Sequence, residues 1–196
     1  MRPPSLTRSS QEGLSLIELI LFIVIVGVGV AALLSVFNVA VRGSADPLVR
    51  KQLLAVAESV MEEVTLQPFT YCDPSDAEVL TANDADVGAG NCATLAEAQG
   101  VSGGESGQSR YSASSPFNNV NDYAGFSMSP IRDLQNAVVV PLQNYSASVA
   151  ITPAGDQFGL ADAAALRIVV TASRLNSSEQ LSLTGYRFRY APNAPQ

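Results

Sequence analysis

This chain of 196 residues contains no histidine and no tryptophan. Histidine is the commonest general base near neutral pH, the usual base of a catalytic triad and the commonest zinc ligand. There are only two cysteines, Cys72 and Cys92, so a single chain cannot build a four-thiolate metal site. These absences argue against an enzyme, and we predict no catalytic residue, no metal site and no cofactor.

Basic residues are also scarce. The chain has 11 lysines and arginines against 18 aspartates and glutamates, and its formal net charge is −7. A protein that binds nucleic acid needs a basic surface to neutralise phosphates, and this composition provides no general surface of that kind. We therefore expect no nucleic-acid partner, although a local basic tip stays open.

A long apolar run follows a short polar N-terminal segment. Leu19 to Val41 is 23 residues without a charge, which as a helix is roughly 34 Å long and exceeds the ~30 Å hydrocarbon core of a bilayer. Arg2 and Arg8 precede the run and favour a cytoplasmic N-terminus. The sequence thus predicts a single-pass protein of the inner membrane whose C-terminal part lies in the periplasm.

The residues in front of the apolar run are Gly13-Leu14-Ser15-Leu16-Ile17-Glu18. This segment resembles the class III leader of type IV pilins and type II secretion pseudopilins, whose pattern is Gly, Phe, Thr-Leu-x-Glu. Leu14 and Ser15 replace the usual Phe and Thr. The resemblance implies that residues 1–13 are a leader peptide, and that a prepilin peptidase cuts after Gly13 and methylates the new amine of Leu14.

The resemblance also implies a role for Glu18 in assembly. A carboxylate inside the apolar layer costs roughly 2.5–3.5 kcal/mol and is usually functional. In this family it would pair with the Leu14 amine of a neighbouring subunit and set the register between subunits. The alternative is an ordinary single-span anchor with Glu18 at the level of the lipid headgroups.

A second helical pattern follows the apolar run. Leu53, Val56, Val60 and Val64 recur at spacings of three and four and mark one apolar helix face. We expect one helix over residues 14–67, with a transmembrane part at 14–41, a kink near residues 43–47 and an end at Pro68. On the same helix, basic residues precede acidic ones: Arg42, Arg50, Lys51, Glu58, Glu62 and Glu63. Subunits staggered along a filament could pair these opposite charges, or the charges could form a solvated face.

The cysteines lie beyond this helix, on the predicted periplasmic side. In an oxidising compartment the simplest interpretation is one disulfide between Cys72 and Cys92, and the alternative is two free buried thiols. Residues 69–125 lack regular periodicity and predict long acidic loops. Asp84-Ala85-Asp86 could suggest calcium, but the segment lacks the spacing of an EF-hand loop and a solvated loop is favoured.

The last third of the chain predicts an antiparallel sheet. Two strands are expected at residues 145–151 and 166–172, and a third begins at 181 after a turn at 176–179. Alternation places Tyr186, Phe188 and Tyr190 on one face and two arginines, Arg187 and Arg189, on the other. Such a face could bind a ligand or be the solvent side of the sheet. Residues 68–196 would then form a periplasmic domain of an α+β, pilin-like fold.

Residues 55–64 resemble the corresponding helix of minor pilins and minor pseudopilins, and residues 67–74 and 118–126 resemble minor pilin-like proteins of mannose-sensitive haemagglutinin (MSHA) pili. The resemblance implies a structural subunit whose partners are major and minor pilin subunits, the prepilin peptidase and inner-membrane lipid, and which is extracellular in an assembled pilus. Two alternatives stay open: a minor pseudopilin of a type II secretion system, and a membrane-anchored periplasmic ligand-binding protein. Neighbouring pilus or exoprotein-secretion genes would separate the first alternative from the pilus subunit.

Overall fold

The structure is a computed structural model that describes residues 15–97 and 107–195, with the backbone alone for residues 38–46. The chain divides into two compact units, Met1–Pro47 and Leu48–Gln196. One long helix, α1, covers Leu16–Leu66, and four strands follow in the second unit: β1 at Ser127–Met128, β2 at Tyr145–Pro153, β3 at Ala165–Arg174 and β4 at Gln180–Phe188. The fold is α+β, as the sequence predicts.

In the first unit, α1 carries the apolar segment. Leu16–Phe37 is long and apolar enough to cross a membrane, and none of it is buried in the protein. Ser15 lies before the helix and its carbonyl accepts a hydrogen bond from the Leu19 N–H at 3.1 Å. The observed bounds differ from the predicted 14–67 by one or two residues at each end. Pro47 lies inside the helix, and the kink expected near it stays a prediction.

In the second unit, α1 buries the apolar face that the sequence predicts. Leu53, Val56, Val60 and Val64 are all buried in the main hydrophobic cluster. The helix ends at Leu66 because Pro68 cannot donate the next backbone hydrogen bond. The buried face of α1 lies against residues of the sheet, so burial of this face holds the helix and the sheet together.

The sheet is antiparallel, with strand order β1-β2-β3-β4. In β2 and β3, alternate side chains point into the core, as expected for a sheet covered on one side. Their inward residues form the layer under α1: Tyr145, Ala147, Val149, Ile151, Leu166, Ile168, Val170 and Ala172. The three predicted strands are confirmed, and β1 is a short fourth strand that the sequence analysis missed.

The alternation predicted for β4 is also confirmed. Tyr186 and Phe188 are exposed, and so is Tyr190 just beyond the strand, while Arg187 and Arg189 point inward and are half-buried. The solvent side of the sheet is therefore its aromatic side. Among the described residues of this unit, four short 3-10 helices lie in the connections: Val120–Tyr123, Val140–Leu142, Gly155–Phe158 and Asp162–Ala164.

Candidate functional site

The processing residues expected from the leader, Gly13 and Leu14, lie outside the described residues. Glu18 is in the first turn of α1 and is exposed. A carboxylate in the first turn interacts favourably with the unpaired N–H groups and the positive end of the helix dipole. Glu18 therefore has a local role at the helix N-terminus in addition to any contact with another subunit.

Cys72 and Cys92 form the predicted disulfide, with an S–S distance of 2.06 Å and a Cα–Cα distance of 5.5 Å. The alternative of two free thiols is excluded. Both cysteines are fully buried and pack with Val79 and Ala82 in a small second hydrophobic cluster. The bridge therefore closes a loop that has a core of its own.

A buried carboxylate organises the inside of this loop. Asp76 accepts hydrogen bonds from the backbone N–H groups of Ala93, Thr94 and Leu95 at 2.8–2.9 Å, and from the N–H of Glu78 at 2.9 Å. Burial alone raises the pKa of Asp76, but these donors outweigh it and hold the pKa well below its ordinary value of 3.8. The charged form of Asp76 thus fixes the segment that follows Cys92.

The loop is only partly the solvated acidic segment that the sequence suggests. Asp84 and Asp86 are exposed, as predicted, whereas Asp73 and Asp76 are buried. Asp73 accepts from the Ser75 backbone and from Gln108 Nε2, the latter at 2.9 Å. Within residues 15–97 and 107–195, no group of three acidic or cysteine side chains is placed to hold a metal ion. The buried aspartates are therefore occupied by donors of the chain itself.

A second buried network joins α1 to the loops. Arg110 binds the Glu63 carboxylate with two parallel hydrogen bonds, Nε to Oε1 and Nη2 to Oε2, each of 2.7 Å. The Tyr123 hydroxyl donates to Glu63 Oε1 at 2.8 Å. Arg110 Nη1 also reaches the carbonyl oxygens of Arg132 and Asp133 at 3.2 and 3.3 Å. One ion pair thus connects the helix with three separate segments of the chain.

The surroundings of this ion pair strengthen it. The Arg110 and Glu63 side chains are 7% and 21% exposed, and the guanidinium lies over the rings of Tyr111 and Phe126. Burial alone lowers the pKa of Arg110, but the hydrogen bonds and charge of Glu63 outweigh it and raise the pKa. Burial and the Glu63 charge raise the pKa of Tyr123 as well. Arg110 and Tyr123 therefore both keep their protons across the physiological range.

The ion pair changes one expectation about the helix surface. Glu63 is bound within its own chain, whereas Glu58, Glu62 and Lys51 are exposed. Charge pairing between neighbouring subunits, if it occurs through this helix, therefore rests on Glu58 and Glu62.

The C-terminal segment is held against the start of the disulfide loop. The Arg189 guanidinium lies over the rings of Phe69 and Tyr71, at 4.1 and 5.0 Å from their centroids. The Tyr71 N–H donates to the Pro192 carbonyl at 3.0 Å, and Asn193 Nδ2 donates to the Ala82 carbonyl at 2.8 Å. Burial lowers the pKa of Arg189, against opposing contributions from nearby acidic groups. The inward arginine thus packs the C-terminal segment against the aromatic residues that precede Cys72.

A groove of about 530 Å³ runs beside α1 in the second unit. Apolar side chains from the helix and from the segment 128–142 form most of its wall, and Glu63 and Arg110 also line it. Glu63 and Arg110 are paired with each other, and two further charged residues, Arg132 and Asp133, also line the groove.

Neither buried network was predicted from the sequence, yet each leaves a trace in it. Arg110 is the only lysine or arginine between Lys51 and Arg132, in a strongly acidic stretch. A lone cation in such a stretch is a candidate for a specific ion pair. Asp73 and Asp76 each accept from a backbone N–H two residues later, as in an Asx turn. The pattern predicts the two turns but not the burial of the two carboxylates.

No match was found between this chain and any family model, curated protein or solved structure. Its function is therefore inferred from its own residues and geometry.

Replacing Arg110 by methionine should destabilise the second unit by about 3–5 kcal/mol, because the change leaves the Glu63 carboxylate buried without its partner. Replacing Glu63 by methionine in the same chain should restore part of the loss. The matched control is Arg174→Met, which removes the exposed Arg174–Glu179 pair, 3.4 Å long, and should cost about 0–1 kcal/mol. Thermal unfolding of the full chain in detergent measures all three, and equal losses for the two single variants would contradict this role.

Asp76→Asn should lower stability at neutral pH by about 1–3 kcal/mol, because an amide cannot accept from all the buried donors. The folded pKa of Asp76 lies below its ordinary value of 3.8, so its contribution is complete above that pH and is lost as pH falls towards the folded pKa. The wild type should therefore lose stability in acid more steeply than the variant. Melting temperatures measured from pH 7 to pH 3 test this, with exposed Asp84→Asn as the control, and parallel curves for wild type and Asp76→Asn would disprove it.

Proposed function

We propose that this chain is a minor pilin-like structural subunit of a type IV pilus of the MSHA type, which acts in pilus biogenesis or at the tip. The observation that carries the proposal is the run Gly13-Leu14-Ser15-Leu16-Ile17-Glu18 directly in front of an exposed apolar helix. A signal peptide is cut after its apolar core, whereas a cut after Gly13 keeps the helix in the mature chain.

The proposed mechanism is storage in the membrane followed by packing of helices. Before assembly, Leu16–Phe37 lies in the inner membrane and the second unit lies in the periplasm. In the apolar layer of the membrane the Glu18 carboxylate favours association, because the Leu14 amine of a neighbouring subunit satisfies its charge. After the prepilin peptidase has acted, assembly makes or breaks no covalent bond.

The second unit supports this role through the division of its helix surface. One face of α1 is buried against the sheet, and the opposite face leaves Lys51, Glu58 and Glu62 exposed. A helix that buries one face in its own domain still presents the other face to neighbouring subunits, both major and minor. The partners of the proposed subunit are therefore other pilins, membrane lipid and the peptidase.

Two loop segments support the narrower assignment. Residues 67–74 and 118–126 look like matching segments of MshD, a minor pilin-like protein of the MSHA system, and in this fold they contact each other. The Val120 N–H donates to the Pro68 carbonyl at 3.1 Å, and Asn119 Nδ2 donates to Thr70 Oγ1 at 2.8 Å. Because the two segments are in contact, one local structure constrains both of their sequences. A shared local structure therefore explains the two resemblances better than two separate coincidences do.

Processing should occur between Gly13 and Leu14. The expected mature chain begins with an N-methylated Leu14, which mass spectrometry of the protein purified from the cell envelope can identify. A bulky residue at position 13, as in Gly13→Trp, should block the cut, since the peptidase of this family recognises a small residue there. An intact Met1, or a cut after the apolar helix, would rule out the proposed class.

Glu18→Val should leave the protein processed and in the membrane but strongly reduce its incorporation into filaments, because the span inserts without help while the register contact is lost. Immunoblots of membranes and of sheared pili measure the two fractions. Ser35→Val, another replacement of a polar residue in the span, is the control and should assemble normally. Normal incorporation of Glu18→Val would remove the register role.

A further inference from the structure

The two edges of the sheet differ sharply. On one side, β1 is only two residues long and Pro130 follows it closely, so this edge offers little to pair with. On the other side, β4 extends over nine residues and contains no proline. Proteins usually protect a long edge with charges, bulges or a covering segment. Within residues 15–97 and 107–195, no strand or bridge pairs with the outer edge of β4.

Hydrogen bonds at the ends of the β3–β4 ladder fix which backbone groups face that edge. The Arg174 N–H donates to the Glu179 carbonyl at 3.0 Å, and the Arg189 N–H donates to the Ala164 carbonyl at 2.9 Å. Both pairs continue the register of Ala165 opposite Phe188. Hydrogen-bonded pairs alternate along an antiparallel ladder, so the even-numbered residues of β4 direct their N–H and C=O groups outward.

The same even-numbered residues carry the exposed side chains of β4, and none of them is charged: Gln180, Ser182, Thr184, Tyr186 and Phe188. The one charged residue of the strand, Arg187, points inward and donates to the Gln67 carbonyl at 3.2 Å. The Phe188 carbonyl already accepts from the Tyr190 N–H at 3.0 Å. Over the rest of β4 an approaching strand meets outward backbone donors and acceptors, and no charge opposes it.

We propose that this edge binds a second copy of the chain by antiparallel pairing of β4 with β4, about a two-fold axis at Thr184. Thr184 then faces its own copy, Ser182 faces Tyr186, and Gln180 faces Phe188. This is the symmetric register that pairs all nine residues, since Thr184 is the centre of Gln180–Phe188. The result is a continuous sheet with four strands from each copy, and both buried faces lie on the same side.

The distribution of side-chain size along β4 favours a second copy over an unrelated strand. The two large aromatic residues lie at one end, where Tyr186 and Phe188 pack on Phe158 with ring centroids 5.2 and 4.9 Å apart. The other end carries Ser182 and Gln180. Antiparallel pairing places the aromatic end of one copy beside the small polar end of the other, so the directly opposed side chains do not collide.

The dimer goes beyond the proposed function and does not depend on it. A two-fold contact uses the same surface on both copies and closes, so it yields a dimer and not a filament. The experiments below use no filament, and their outcome therefore bears on the dimer alone.

Single cysteines introduced along β4 test the register. Both natural cysteines are in the disulfide, so an introduced cysteine is the one free thiol of the full chain. Thr184→Cys should form a cross-linked dimer on mild oxidation in detergent, because directly opposed Cα atoms about 5.5 Å apart suit a disulfide. Ser182→Cys alone should give about tenfold less dimer, since its two copies lie roughly 14 Å apart along the strands. A mixture of Ser182→Cys and Tyr186→Cys chains should cross-link well.

Lysine replacements test the contact without a cross-link. Thr184→Lys places two ammonium groups opposite each other on the two-fold axis and should convert the dimer into a monomer in light scattering. Thr184→Val should stay dimeric, and so should Ser148→Lys, which carries the same charge on the exposed face of β2. A monomeric wild type, a dimeric Thr184→Lys, or equal cross-linking of Thr184→Cys and Ser182→Cys would overturn the proposal.

Discussion

The ion pair between Glu63 and Arg110 determines how the loops of the second unit are arranged around α1. Arg110 has two well-aligned contacts with Glu63 and also binds the carbonyl oxygens of residues 132 and 133. Tyr123 donates to the same carboxylate. Charges removed from water are stable only when they are paired and fully hydrogen-bonded. The segments that surround α1 are therefore constrained to the positions in which this pair is complete.

Local periodicity was sufficient to predict the parts of the fold that repeat. The spacing of Leu53, Val56, Val60 and Val64 gave the buried helix face, and alternation gave three strands and the outward direction of Tyr186 and Phe188. The disulfide followed from the cysteine count and from the oxidising compartment that the sequence predicts. The Glu63–Arg110 pair could not be predicted in this way, because its members are 47 positions apart and no periodic pattern connects them. The burial of Asp76 depends likewise on donors 17 to 19 positions away.

The acidic residues of the chain have three different roles, although composition alone makes them look equivalent. Asp76 orders a loop from within, Glu63 joins a helix to its surroundings, and Glu58, Glu62, Asp84 and Asp86 remain in solvent. The Glu63 charge is compensated by Arg110, whereas Asp76 keeps its negative charge and is stabilised by neutral donors.

The disulfide also sets a limit on how the chain responds to mechanical load. Traction along the backbone can open hydrogen bonds and separate strands, but it cannot draw out the residues between Cys72 and Cys92 while the bridge is intact. Those residues represent roughly 65 Å of contour length that is withheld from extension. The bridge lies six residues after the end of α1 at Leu66. Tension transmitted from the helix therefore bypasses this loop and passes directly to the segment that leads to the sheet.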